Sequence, residues 1–185
     1  MKLNKLLKYM ISLDAYFILY FRKQHIFSPR IEMNEIIAGF PLYTYYVCLS
    51  FQFALFPLLS IFYNQYLYNA AFIGLMAKDF FIAKMDMSLT VHHVIGVWAT
   101  YSFCDTQQMS WLVTVAEIGS GMFNVYTLAK HYDFYIYPIY LGYSVIMTMT
   151  NIYCCLGIIR NSKVKWYYKL PCLLLLCGRQ YFVYL

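Results

Sequence analysis

Two consecutive histidines, His92 and His93, stand in the stretch SLTVHHVIGVW, whose other residues are mostly apolar. Neutral imidazoles are costly to bury in pairs, and imidazole is a common general base and acyl acceptor. Asp79 precedes the pair and Glu117 follows it, so either carboxyl could orient a ring. These four residues predict either acid/base or acyl-transfer chemistry in a dry cavity, or ligand binding without chemistry.

Missing motifs exclude several classes of enzyme. Membrane di-iron hydroxylases need many histidines in HxxxH and HxxHH boxes, and this chain has four histidines in total. Neither HExxH, GxSxG, a Walker motif nor GxGxxG is present. The sequence therefore predicts no metal site and no bound cofactor.

The composition indicates an integral membrane protein. Of the 185 residues, 62% are apolar, 21% aromatic and 12% charged, against about 25% charged in a soluble domain. The basic residues behind the net charge of +6 flank apolar runs, as in WYYK (166–169), instead of forming one basic face. This distribution is typical of head-group anchors and argues against a nucleic-acid partner. It does not fix the orientation in the membrane.

Hydropathy and helix breakers divide the chain into two parts. Residues 1–40 are predicted to form an interfacial or partly inserted helix over 9–21 and a polar linker over 22–35. Residues 41–185 are predicted to form an all-α transmembrane bundle of six spans, or seven if 9–21 inserts. The six spans are 41–63, 66–84, 88–104, 110–130, 134–159 and 166–185. Short loops predict that consecutive helices are antiparallel neighbours.

Polar residues recur at helical spacing in these spans and predict a shared interior. The fourth span carries a polar stripe of Ser110, Thr114, Glu117, Gly121 and Asn124. The fifth span carries a similar polar stripe from Tyr137 to Cys155. Gly96 lies one turn from both histidines. Lys78 and Lys84 are expected to extend to the membrane surface. The predicted cavity lining is Gly96, Thr100, Thr114, Gly121, Asn124, Tyr140, Ser144 and Asn151.

Three motifs on successive spans, KDFF (78–81), VHHVIG (91–96) and AEIGSGMFN (116–124), resemble the TLC-domain family. That family comprises ceramide synthases and smaller multipass proteins tied to membrane lipid composition, and the resemblance covers roughly residues 40–180. Glu117 and Asn124 match the non-synthase members, although Gly119 replaces their serine. The synthase branch has a His-Asp pair and a second aspartate in this helix, which this chain lacks, although Asp86 lies near a synthase aspartate.

The resemblance implies a bundle around a central, lipid-accessible cavity in the endoplasmic reticulum or another endomembrane. The first hypothesis is a protein of membrane lipid homeostasis that holds an acyl lipid with its polar end near Asp79, His92, His93 and Glu117. The second is an acyltransferase in which one histidine acts as base or acyl acceptor, with acyl-CoA as the co-substrate. The third is a structural bundle whose histidines only join helices.

Overall fold

The computed structural model describes residues 35–62, 64–82, 85, 87–103 and 107–183. Six helices run through this part of the chain: α1 (Leu42–Phe62), α2 (Gln65–Ile82), α3 (Met87–Phe103), α4 (Gln107–His131), α5 (Ile136–Arg160) and α6 (Trp166–Val183). The predicted helical fold is confirmed, and each helix lies close to a predicted span. The predictions for 9–21, for nearly all of the 22–35 linker, and for Lys84 and Asp86 fall outside the described residues.

Three of these helices are long and apolar enough to cross a membrane: α1, α4 and α5. The other three have 17 or 18 residues, which corresponds to about 27 Å of helix against a hydrocarbon core of about 30 Å. Large apolar side chains are exposed on the outside of the bundle, including Phe62, Phe81, Val145, Ile152 and Leu174. Such a surface suits contact with lipid acyl chains.

A short hairpin precedes α1, and the sequence analysis did not predict it. Its strands are β1 (Ile36–Ile37) and β2 (Phe40–Pro41), which pair antiparallel. Both turn residues, Ala38 and Gly39, have positive φ, as tight hairpin turns require. The Tyr45 hydroxyl donates a hydrogen bond to the Ile37 carbonyl at 2.9 Å, which ties the hairpin to the first turn of α1.

The middle of α1 is π-helical over Phe51–Leu55. Pro57 explains this departure, because proline has no backbone N–H and its ring collides with the carbonyl four residues earlier. One wide turn accommodates the ring without ending the helix. Within the π-helical turn, Phe51 and Gln52 are buried.

The bundle is organised around α4, which contacts each of the other five helices. Its closest partner is α5, and α6 packs against both α5 and α3. Chain order is therefore not the spatial order throughout, because α6 closes the bundle against α3. Two contacts show that α1 and α4 run antiparallel. Gln107, at the start of α4, donates to the carbonyl of Ser60 near the end of α1 at 3.1 Å, and His131, at the end of α4, contacts Glu35, which precedes α1, at 2.9 Å.

The six-span topology can be tested by labelling with a membrane-impermeant maleimide in intact vesicles. Single cysteines introduced as Asn64→Cys and Gln108→Cys are expected to react from the same side, and Asp133→Cys from the opposite side. In a six-span topology, two spans would separate the first two positions, and one span would separate the second from the third. The unmodified chain serves as the baseline for its native cysteines. Labelling of all three positions from one side would contradict the topology.

Candidate functional site

A buried ionic cluster joins α2 to α3. Asp79 accepts a hydrogen bond from the Lys78 ammonium through Oδ1 and contacts His93 Nε2 through Oδ2 at 2.8 Å. The three residues are 5–7% exposed. Lys78 also lies 3.5 Å from the Cys48 thiol on α1. The expectation that Lys78 extends to the membrane surface was wrong, because the neighbouring carboxylate compensates the buried ammonium.

Both nitrogens of His93 are engaged. Nδ1 lies 2.8 Å from the carbonyl oxygen of Leu89, one turn earlier on α3, and Nε2 faces the Asp79 carboxylate. A carbonyl oxygen only accepts hydrogen bonds, so Nδ1 donates to Leu89, and Nε2 contacts the Asp79 carboxylate that also accepts from Lys78. His93 is therefore well positioned to hold α2 against α3, and neither nitrogen is left for a substrate.

His92 occupies a different environment, although its ring centroid lies only 5.6 Å from that of His93. Its side chain faces a partly open pocket between α2, α3, α4, α5 and α6 and forms no hydrogen bond to another described residue. The two histidines therefore have separate roles. His93 is held by its neighbours, whereas His92 presents a ring to the pocket.

The pocket is elongated along the helices and is polar at one end. On α3 its lining runs from His92 to Thr100, a rise of about 12 Å. Because neighbouring helices are antiparallel, Glu117 on α4 and Arg179 on α6 lie towards the same end as His92. Apolar and weakly polar side chains line the rest, namely Phe72, Gly96, Ala99, Met109, Leu112, Val113, Ala116, Cys154, Ile158, Cys172, Leu175 and Leu176.

Glu117 and Arg179 occupy the polar end together. Arg179 donates through Nη2 to the Ala116 carbonyl at 2.7 Å, next to Glu117 in the chain, and lies 3.2 Å from the Met147 sulfur. Its guanidinium attracts the Glu117 carboxylate electrostatically. Glu117 is 4% exposed and accepts a hydrogen bond from Gln52 at 2.9 Å.

The π-helical turn of α1 supports this end of the pocket. Gln52 donates to Glu117 and accepts from Asn124 at 3.0 Å, so one side chain of α1 holds two residues of α4. A buried amide that is satisfied on both sides fixes the rotation of α4 relative to α1. The hydrogen bond from α1 thereby orients the Glu117 carboxylate, which remains part of the pocket lining.

The structure separates the eight predicted lining residues into two groups. Gly96 and Thr100 line the pocket, and the Thr100 hydroxyl is buried without a hydrogen-bond partner among the described residues. The others are absent from this lining. Five of them lie in contacts between helices, namely Thr114, Gly121, Asn124, Tyr140 and Asn151, and the Ser144 hydroxyl is buried without a hydrogen-bond partner among the described residues.

The physical reason is the rotation of α4 and α5. The α4 stripe faces α1, where Thr114 bonds to Ser60 and a Cβ on Gly121 would lie 2.7 Å from Phe53. The α5 stripe faces α6, where Asn151 donates to Gln180 at 3.0 Å and Tyr140 to the Val183 carbonyl at 3.1 Å.

Comparison with known proteins identifies no relative: no protein-family model, curated protein or solved structure matches the chain. Function must therefore be argued from the site. Within the described ranges, no three His, Cys, Asp or Glu side chains lie close enough to hold a metal ion.

The sequence analysis did not place three residues in the site: Gln52 and Arg179 received no role, and Lys78 was expected at the membrane surface. A signal existed for each, because a charged or amide side chain in an apolar span normally faces the protein interior.

Proposed function

We propose that this protein is an integral membrane protein of the TLC type that holds an acyl lipid in the pocket lined by α2–α6, with its polar end at His92, Glu117 and Arg179. The observation that carries the proposal is the polarity gradient of this pocket. One end offers three hydrogen-bonding or charged side chains, and the rest offers mostly hydrocarbon, thiol and thioether surface with the single hydroxyl of Thr100. A lipid with one inserted chain has the same gradient.

The wider cellular role follows from the resemblance of the motifs. Membership of the non-synthase TLC branch would place the protein in membrane lipid homeostasis, in the endoplasmic reticulum or another endomembrane. The three helices long enough to cross a membrane are compatible with that setting. Glu117 and Asn124, which carry the non-synthase resemblance, both form hydrogen bonds to Gln52. In this chain the two residues therefore join α4 to α1.

An acyltransferase is the second candidate, and the ring of His92 is the observation that favours it. Its nitrogens form no hydrogen bond to described residues, so one of them could take the proton from a lipid hydroxyl or amine. The oxygen or nitrogen would then attack the carbonyl of an acyl-CoA thioester. The carbon–sulfur bond would break, and the thiol would leave with the proton from His92.

Native mass spectrometry of the detergent-purified protein distinguishes these functions. We expect a non-covalent adduct of lipid mass that is lost on collisional activation. Formation of a lipid that is one acyl mass heavier when acyl-CoA is added would support the acyltransferase. A protein that shows neither the adduct nor this product would contradict both functions and support a purely structural bundle.

His92→Phe should reduce the lipid adduct at least several-fold, because the phenyl ring removes hydrogen-bonding capacity from the polar end of the pocket. Val94→Phe is the matched control, since Val94 lies on the same helix and is 54% exposed on the outer surface. It should retain the adduct at the wild-type level. Equal retention in both variants, with unchanged stability, would exclude His92 from lipid binding.

A further inference from the structure

The polar end of the pocket presents complementary hydrogen-bonding groups. Glu117 Oε2 accepts from Gln52, and Oε1 accepts no hydrogen bond from a described residue. Arg179 uses Nη2 for its contacts with Ala116 and Met147, and Nη1 and Nε have no partner among the described residues. His92 can either donate or accept. A ligand group here would meet an acceptor, a donor and a group that can act as both.

The ionisable groups in the lining at this end have opposite signs. Arg179 and Glu117 both line the pocket, and their ionised forms carry opposite charges. Behind them, Asp79 contacts Lys78 and His93 outside the lining. An anionic head group would gain attraction from Arg179 but would be repelled by Glu117, and a cationic group would meet the reverse. In surroundings of low polarity, neither ion recovers its lost hydration.

Building on the proposed lipid-binding function, we infer that the pocket selects a lipid whose head is uncharged and bears a hydroxyl group, such as a long-chain alcohol or a monoacylglycerol. A hydroxyl group donates to Glu117 Oε1 and accepts from Arg179 or His92. It satisfies both charged residues without adding a net charge. The apolar lining between His92 and Thr100 then receives the hydrocarbon chain.

The test compares probes that share one chain and differ in the head: oleyl alcohol, 1-oleoylglycerol, oleate at alkaline pH, and oleyltrimethylammonium. Purified protein is mixed with all four at equal concentration, and bound masses are counted by native mass spectrometry. The wild type is expected to favour the two hydroxyl lipids over both ions by about tenfold or more. A preference for oleate or the ammonium lipid would overturn the inference while leaving lipid binding intact. Binding of none of the four would overturn the proposed function as well.

Two variants, each of which removes one charge from the pocket, should shift the lipid preference in opposite directions. Glu117→Gln leaves Arg179 uncompensated, so the preference should move towards oleate. Arg179→Gln leaves Glu117 uncompensated, so the preference should move towards the ammonium lipid. Glu35→Gln is the matched control, because Glu35 pairs with His131 outside the pocket, and it should keep the wild-type order. If the preference is unchanged in every variant that remains monodisperse, Glu117 and Arg179 do not determine which head group binds.

Discussion

Asp79→Asn is expected to lower the melting temperature by on the order of 10 °C, because it leaves the buried ammonium of Lys78 without a counter-charge. Breaking a buried ion pair by removing one partner costs about 3–5 kcal/mol. Lys78→Met should cost less, since Asp79 keeps its contact with His93. The double variant Lys78→Met/Asp79→Asn removes both charges and should recover most of the lost stability.

Thermal unfolding in detergent, followed by tryptophan fluorescence, measures these differences, and Glu35→Gln controls for the loss of an exposed carboxylate. At equal amounts of folded protein, Asp79→Asn should also retain less lipid than Glu117→Gln. Asp79 holds together the α2–α3 wall of the pocket, whereas glutamine at 117 can still bond to Gln52. If Lys78→Met proves more damaging than Asp79→Asn, the ammonium is the central member of the cluster. If Glu117→Gln instead retains less lipid than Asp79→Asn, Glu117 on α4 contributes more to lipid retention than Asp79 does.

Gly96→Leu is expected to abolish lipid co-purification in a protein that still inserts and remains monodisperse. Gly96 lines the pocket, and a Cβ there would meet only the Phe72 ring, at an ordinary 3.7 Å. The added isobutyl group therefore has space to enter, and that space is the proposed path of the acyl chain. Native mass spectrometry gives the lipid occupancy, and size-exclusion chromatography gives the state of the protein.

Gly119→Leu is the matched variant, because it makes the same substitution in a close contact between helices. A Cβ at Gly119 would lie 2.6 Å from Thr150 Oγ1 and 3.0 Å from the Met147 sulfur. This overpacking should lower stability by at least about 1–3 kcal/mol. If Gly96→Leu unfolds the protein to the same extent as Gly119→Leu, Gly96 is a packing contact. A stable Gly96→Leu protein with normal lipid content would place the acyl chain elsewhere.

The positions of the helices could be predicted from sequence because long apolar runs, short polar interruptions and proline provide strong local signals. The sharing of a face within α4 was also predictable, since residues three or four apart align on a helix. Which neighbour that face meets was not predictable. It depends on the rotation and order of the helices, and periodicity alone does not specify either.

The two histidines illustrate the same limit. The sequence analysis placed both rings at one polar site, although adjacent side chains on a helix point about 100° apart. It did not show which of them faces Asp79 and which faces the pocket. Lys78 was misassigned because a lysine near a helix end usually reaches the surface, and the alternative depended on contact between Lys78 and Asp79 in the interior.

The π-helical turn of α1 changes the phase of that helix. Each residue of a regular α-helix advances by about 100°, so the wide turn at Phe51–Leu55 puts Leu42–Ser50 out of step with Phe56–Phe62. A single helical wheel drawn through all of α1 would therefore assign one of the two halves to the wrong face. The wide turn absorbs about one extra residue, so deleting one residue there would give a regular helix and leave the half that bears Tyr45 and Cys48 facing the same side.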